Sequence, residues 1–363
     1  LGEKKLNILF FGTDVFGASG GIAEFNRHLV LAMRDIPRVG RIRVLLRNRS
    51  DVEARSPDGI ELVDKSSRGV AAFVISALQC IHAGPWDLVI CGHRNLLPVA
   101  ALTAKIAGAP LWQVLHGIEA WEPRRWRLRN HIDLYLSVSR FTAQKHQAFS
   151  RIPASRYALL PNTFDGRRFF PAPRIPALVD RLGLCERRVL FTLARMDAAE
   201  RYKGIDEVLE CFPRLVADIP NLVYLIGGEG NDRPRLETKA RSLGVADRVI
   251  FTGFIPETEK ADYYRLADLF VMPGWGEGFG IVYLESAACG VPVLGSTLDA
   301  SAEVIQAAGI GEAVNPKNPE ELKAAMVRML KKPMKGPFEG LAVFGQEAFR
   351  SKVKQLLESN GLR

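Results

Sequence analysis

Residues Pro273–Gly295 read PGWGEGFGIVYLESAACGVPVLG. A short apolar run, Asp268–Met272, leads into this stretch as a strand, and an apolar helix is predicted to begin near Ile281. Between them, Gly276, Gly278 and Gly280 let the main chain approach a ligand closely, and the N–H groups at the start of the helix favour an anion. Strand, glycine turn and helix in this order mark a phosphate or sugar site. Glu277 lies inside the turn and Glu285 eight residues later, about two helical turns on, so one carboxylate stands at the helix mouth and one on its flank. Taken singly, Glu277 also reads as a solvated loop carboxylate and Glu285 as a helix surface charge.

Outward from this stretch the chain alternates apolar strand runs with helical patterns, which implies parallel sheets covered by helices on both faces. The first half carries strand runs at Leu6–Phe11, Arg43–Leu46, Asp87–Cys91, Leu111–Leu115, Asp133–Val138 and Tyr157–Leu160, with a helix over Ile22–Met33. Between the first strand and that helix lies GTDVFGASGG, which does not match G-x-G-x-x-G cleanly and on its glycines alone also reads as a plain strand-to-helix turn. His116 closes a strand and precedes Gly117 and Glu119, a position suited to reach a ligand; a lone histidine is equally a structural or surface residue. Proline density in PNTFDGRRFFPAPRIP, after Leu160, marks an interdomain linker.

The second half opens with the strand Val189–Ala194, then Arg195, and eight residues on Lys203 with Gly204. Two cations at a strand end, ahead of a helix, suit a diphosphate clamp, Arg binding oxygens bidentately and Lys acting as a point charge, although either could instead be a surface charge. Leu222–Ile226 runs into Gly227–Gly230 and Val249–Phe251 into TGFIP, two more strand exits. Val314–Leu330 reads as a last strand, loop and helix, and Phe344–Leu357 has apolar positions at helical spacing.

With 363 residues the chain has room for two domains, each with its own core, and 47% apolar with 25% charged residues is the balance of a soluble globular protein. No apolar run approaches the roughly 20 residues that span a bilayer, and the N-terminus shows no cleavage-site pattern, so a cytoplasmic location is expected. Five widely spaced cysteines among apolar neighbours, with no C-x-x-C or Cys/His ligand spacing, read as buried free thiols. The net charge of +9 is uneven: residues 1–165 hold 22 Lys+Arg against 14 Asp+Glu. That +8 balance suits an anionic partner, such as a membrane surface, a phosphorylated acceptor or nucleic acid; scattered arginines on a solvated face are the alternative. Trp121 and Trp126 interleave with Arg124, Arg125, Arg127 and Arg129, as at a membrane interface, although two packing anchors in a solvated loop would look the same.

The combination of E-G-F-G at Glu277–Gly280, a second glutamate at Glu285 and A-C-G-x-P-V at Ala288–Val293 resembles the signature of retaining glycosyltransferases of family 4. The likeness covers essentially the whole chain, its landmarks falling in the family's order. It implies an α/β fold of GT-B type, two Rossmann-like domains facing each other across a cleft with a C-terminal helix crossing back. Residues 1–165 would bind acceptor, 166–340 would bind the nucleotide-sugar donor, and 341–363 would pack on the first domain. Gly20 and Gly21 would meet the donor's phosphates, as would Gly228; Arg195 and Lys203 would neutralise the leaving nucleotide. Glu277 would bind donor-sugar hydroxyls, Glu285 the ribose hydroxyls, and His116 would lie near the anomeric carbon. The main chain near Phe254 and Ile255 would hold the base, and the turn Gly278, Phe279, Gly280, Ile281 would close on the donor. Thr163 departs from the family's P-N-G-x-D, standing where the glycine is usual.

The resemblance further implies transfer of a hexose from a UDP- or GDP-sugar to a saccharide or lipid-linked acceptor in bacterial polysaccharide or glycolipid assembly. The protein would be cytoplasmic, peripheral on the inner face of the plasma membrane, and would bind no nucleic acid. No D-x-D occurs, so a bridging cation lacks its usual ligands and neither metal nor cofactor is expected. Rival readings are a sugar-nucleotide epimerase of the same architecture, a dinucleotide-dependent oxidoreductase, against which the missing G-x-G-x-x-G counts, and a degenerate donor-binding subunit.

Overall fold

The structure, a computed structural model, describes residues 4–17, 20–48, 57–122 and 131–360. It separates into two compact units, residues 1–163 with 347–363, and residues 164–346.

In the first unit, apolar runs such as Leu88–Cys91 and Leu111–Leu115 form strands buried on both faces, as central parallel strands between helix layers must be. The elements are β1 (Leu6–Gly12), α1 (Gly21–Arg34), β2 (Val39–Leu46), β3 (Ile60–Val63), α2 (Val70–His82) and β4 (Leu88–Cys91). They continue as α3 (Leu97–Ala107), β5 (Leu111–Leu115), β6 (Leu134–Ser137), α4 (Arg140–Ser150) and β7 (Tyr157–Leu159). The strands form one parallel sheet in the order β3-β2-β1-β4-β5-β6-β7. Leu9, Phe11 and Val89 of the sheet pack on Phe73 and Ala77 of α2 and on Ala100 and Ala104 of α3.

The second unit holds α5 (Pro176–Arg181), β8 (Arg188–Leu193), α6 (Ile205–Asp218), β9 (Leu222–Gly227), α7 (Arg233–Ser242) and β10 (Val249–Gly253). Then come α8 (Lys260–Arg265), β11 (Leu269–Val271), α9 (Ile281–Ala288), β12 (Val293–Ser296), α10 (Ser301–Ala308), β13 (Gly311–Val314) and α11 (Pro319–Lys331). Its parallel sheet runs β10-β9-β8-β11-β12-β13. Leu190, Tyr224 and Leu269 meet Val208 and Phe212 of α6 and Leu322 and Met326 of α11 in its core. The last helix, α12 (Gln346–Ser359), returns to the first unit, where Phe349 sets its ring edge-on to Phe25 of α1 at 6.0 Å. Residues 341–346 stay with the second unit, Phe344 packing against Phe279 at 5.7 Å.

Both sheets reverse their order once, between β1 and β4 and between β8 and β11. Helices leave opposite faces of the sheet at such a switch, opening a crevice beyond the strand ends where ligands bind in open α/β sheets. The loops it selects are those after β1 and β4 in one unit and after β8 and β11 in the other.

Three strands differ from expectation. The four residues of β3 are too few to show a period, and β12 lies inside the quoted stretch after the proline of A-C-G-x-P-V. Strand β13 ends at Val314, where the last strand was expected to start. Four cysteines are buried, but Cys185 is exposed, in the turn that precedes β8.

Candidate active site

The loop after β8 is pinned before any side chain is considered. Ala194 N donates to Gly227 O at 3.1 Å and Met196 N to Glu229 O at 2.8 Å, while Asp232 N donates back to Met196 O at 2.9 Å. The close approach explains Gly228: its φ is +116°, and a Cβ there would run into the Ala194 carbonyl. From this loop Arg195 projects into solvent, its side chain 70% exposed, with its guanidinium 2.5 Å from Glu200.

A tight turn over Ala198–Lys203, capped by the Asp197 carboxylate, then brings the chain to the glycine turn after β11. There Trp275 N donates to Tyr202 O at 2.9 Å. Lys203 Nζ lies 2.7 Å from Glu277 Oε2, both side chains largely buried. Burial alone would lower the Lys203 pKa, but the Glu277 carboxylate overrides it and holds the ammonium above its ordinary value.

Gly280, at φ +84°, turns the chain into α9; a Cβ there would strike the Tyr283 ring. The Phe279 ring is buried against Phe344, and Ile281 opens the helix as a buried residue. The helix then carries Glu285 inward rather than along a surface flank: it is 2% exposed. Its Oε2 accepts from the Tyr264 hydroxyl at 2.7 Å, and Lys260 Nζ lies 3.8 Å from Oε1. Burial, and then the Glu285 charge, push the Tyr264 pKa well above its usual value, so the phenol is a fixed donor. The reading of Glu285 as a solvated charge is thereby excluded. After β10, Phe254 is exposed and Ile255 buried.

In the first unit, Gly20 caps α1, accepting Glu24 N at 3.0 Å, and Gly21 begins that helix. His116 follows β5. Its Nε2 donates to Gly92 O, after β4, at 2.8 Å, and Asn26 Nδ2 donates to the same carbonyl at 3.2 Å. A carbonyl only accepts, so the Nε2 proton is fixed and Nδ1 carries the lone pair of the neutral ring. Burial pushes the imidazole pKa down, keeping it neutral. Glu119 Oε1 accepts the His116 and Gly117 N–H groups at 2.8 and 3.1 Å, and Phe25 stands edge-on to the ring at 5.3 Å. The expectation placed on Arg124, Arg125, Trp126, Arg127 and Arg129 lies outside the described residues.

The structure thus brings Lys203 and Glu277 together, sets Arg195 apart on Glu200, and places Glu285 among Tyr264 and Lys260. Sequence reasoning missed Asp299, which is 2% exposed and accepts from Glu277 N at 2.9 Å. Its signal was present in DASAE, an aspartate two residues before a serine at a helix start. Among the described residues, no group of three or more His, Cys, Asp or Glu side chains could hold a metal ion, and no helix is long and apolar enough to cross a membrane.

Comparison with known proteins bears on the family and the fold. The family profile "Glycosyl transferases group 1" matches residues 186–359, and "Glycosyltransferase Family 4" matches residues 19–168. A GDP-mannose-dependent alpha-(1-6)-phosphatidylinositol monomannoside mannosyltransferase of Mycolicibacterium smegmatis is 33% identical over 225 residues, 60% of this chain and 58% of that one. A GDP-mannose-dependent monoacylated alpha-(1-6)-phosphatidylinositol monomannoside mannosyltransferase of Corynebacterium glutamicum is 30% identical over 274 residues, 70% of each chain. The chain spans about half the length of several relatives, 54% of a Mycobacterium tuberculosis mannosyltransferase and 47% of a Thermobispora bispora D-inositol 3-phosphate glycosyltransferase. Among solved structures, Anabaena HepE in complex with UDP and glucose superposes with a TM-score of 0.78 at 19% identity, covering 98% of this chain and 100% of that one. The fold is therefore GT-B.

Proposed function

The chain belongs to the group 1 glycosyltransferases of family 4, and we propose that it moves a hexose from a UDP- or GDP-sugar to an acceptor hydroxyl with retention at the anomeric carbon. The observation that carries this reading is the Lys203–Glu277 pair, which joins the two loops, after β8 and β11, that the sheet's order reversal selects. A cation for the departing phosphate and an acid for sugar hydroxyls then lie side by side.

In the proposed reaction the bond from the anomeric carbon to the diphosphate breaks, and its electron pair leaves with the nucleotide. The acceptor oxygen bonds to the same face and gives its proton to the departing phosphate oxygen. Charge on the leaving group is what the protein must stabilise, and Lys203, Arg195 and main-chain N–H groups of the turn Gly278–Ile281 do this without a metal. Glu277 binds donor hydroxyls; Glu285, oriented by Tyr264, accepts from the ribose hydroxyls. Gly20, Gly21 and Gly228 admit the diphosphate, and the main chain at Phe254 and Ile255 holds the base. His116 lies near the anomeric carbon, its tautomer set by Gly92.

The mannosyltransferase relatives support a lipid-linked acceptor in glycolipid or polysaccharide assembly, and HepE with UDP supports a nucleotide donor. A basic N-terminal half suits docking on an anionic membrane.

A thermal-shift screen of nucleotide sugars tests the donor, since a bound donor raises the melting temperature by mass action. Stabilisation by UDP-glucose or GDP-mannose, followed by an α-linked product by NMR, is expected. No response to any nucleotide sugar, or a product of inverted configuration, would sink the reading. Vesicle co-sedimentation tests docking: equal binding to neutral and anionic vesicles would remove the membrane from it.

A further inference from the structure

Asp299 lies between β12 and α10, and its carboxylate serves two elements at once. Oδ1 accepts from Ser301 N at 3.0 Å and from Ser301 Oγ at 2.6 Å, holding the first residue of α10. Oδ2 faces the other way and accepts from Glu277 N at 2.9 Å. The next residue completes the hold, Ala300 N donating to Glu277 O at 3.1 Å. Both main-chain polar groups of Glu277 are therefore held by two consecutive residues, Asp299 and Ala300, more than 20 positions along the chain.

The support continues behind Asp299. Ser301 Oγ lies 2.9 Å from the Tyr283 hydroxyl, and Tyr283 donates to Met272 O, at the end of β11, at 2.8 Å. The network joins the start of the glycine turn, through α9 and α10, to Glu277. It also contains a buried carboxylate, that of Asp299, with no cation paired to it among the described residues. Burying a carboxylate in this way opposes folding. Holding Ser301 does not require it: an asparagine accepts the same two hydrogen bonds through one oxygen and without a charge. The second oxygen, directed at Glu277 N, is what asparagine lacks.

We propose that Asp299 is a positioning residue for donor-sugar recognition, fixing the main chain of Glu277 so that its side chain meets Lys203 and the donor's hydroxyls. The proposal rests on the reading of Glu277 as the donor-sugar ligand.

Asp299→Asn separates the two roles. The bonds to Ser301 survive, while an NH2 group replaces the acceptor facing Glu277 N. The experiment is calorimetric titration of wild type, E277Q, D299N and the double variant with UDP-glucose and GDP-mannose, and with UDP and GDP. For the pair that wild type binds, each single variant is expected to weaken nucleotide-sugar binding about tenfold, the loss of one hydrogen bond to a charged group, and nucleoside-diphosphate binding by clearly less, since only the sugar contact is lost outright while Lys203 still faces the phosphates. The double variant should be no weaker than E277Q, because positioning counts only while the Glu277 side chain contributes.

Loss in E277Q with wild-type affinity in D299N overturns the role of Asp299 and leaves that of Glu277 standing. Unchanged affinity in E277Q removes both. Equal loss of nucleoside diphosphate and nucleotide sugar in D299N makes Asp299 a structural residue only. If D299N does not fold, Ala300→Pro removes the other half of the hold at a φ of −71° that proline adopts, with the same expected and contrary results.

Discussion

Lys203 and Glu277 are 74 residues apart in sequence and 2.7 Å apart in the fold. The pair orients a buried ammonium before any donor arrives. An ammonium has three donors, so one on Glu277 leaves two for phosphate oxygens. Lys203→Ala is expected to lower turnover by roughly two to three orders of magnitude, the cost of removing one preorganised group that faces developing charge. Arg195→Ala should do the same, although its side chain is exposed and rests on Glu200, because the donor's diphosphate would draw it in. Near-wild-type kcat in either variant would reduce that residue to a surface charge.

Turnover should persist in excess chelator. The proposed stabilisation of the leaving group uses cationic side chains and main-chain N–H groups, which chelation does not touch. Activity that disappears in EDTA and returns with Mg²⁺ or Mn²⁺ would replace this account.

Tyr264→Phe tests the setting of Glu285. The variant leaves a buried carboxylate short of one donor, a loss of about 1–3 kcal/mol in folding stability. Urea unfolding should show the midpoint falling with an unchanged slope, and nucleotide-sugar affinity should fall with it if Glu285 reaches the ribose. An unaltered midpoint would mean that the hydroxyl does not support the carboxylate.

Asp299 makes stability depend on pH in an unusual direction for a carboxylate. Burial pushes its pKa up to about 6, against the opposing hydrogen bonds from Ser301 and Glu277 N. The groups facing it are the Glu277 carboxylate, which adds to the rise, and the Tyr283 phenol, itself pushed well above its usual value. A folded pKa above the unfolded one means that the native state holds the proton more tightly. This contribution is fully present below about pH 4 and is lost as pH rises through about 6. Between pH 7.5 and pH 5, wild type should therefore gain about 1 kcal/mol relative to D299N in denaturant unfolding, as one raised carboxyl pKa requires. A difference that stays flat, or grows towards alkaline pH, would show Asp299 ionised throughout.

The sequence by itself determined the two α/β units, because parallel strands buried on both faces must be runs of apolar residues and such runs are visible without coordinates. It also marked the glycine turn, since Gly280 at φ +84° stands where an L side chain is strained. It picked out Glu277, Lys203, Glu285 and His116 as candidates from residue type and place.

Only the tertiary structure decided how those candidates are used. That Glu285 turns inward to Tyr264 depends on which face of α9 meets α8, and its spacing from Glu277 is the same for a surface charge. The tautomer of His116 depends on Gly92 O, which a different strand brings to it. Asp299 was invisible for the same reason: the hydrogen bonds that tie it to Glu277 join two loops that sheet pairing alone sets side by side, and local sequence carries no record of a partner so far along the chain.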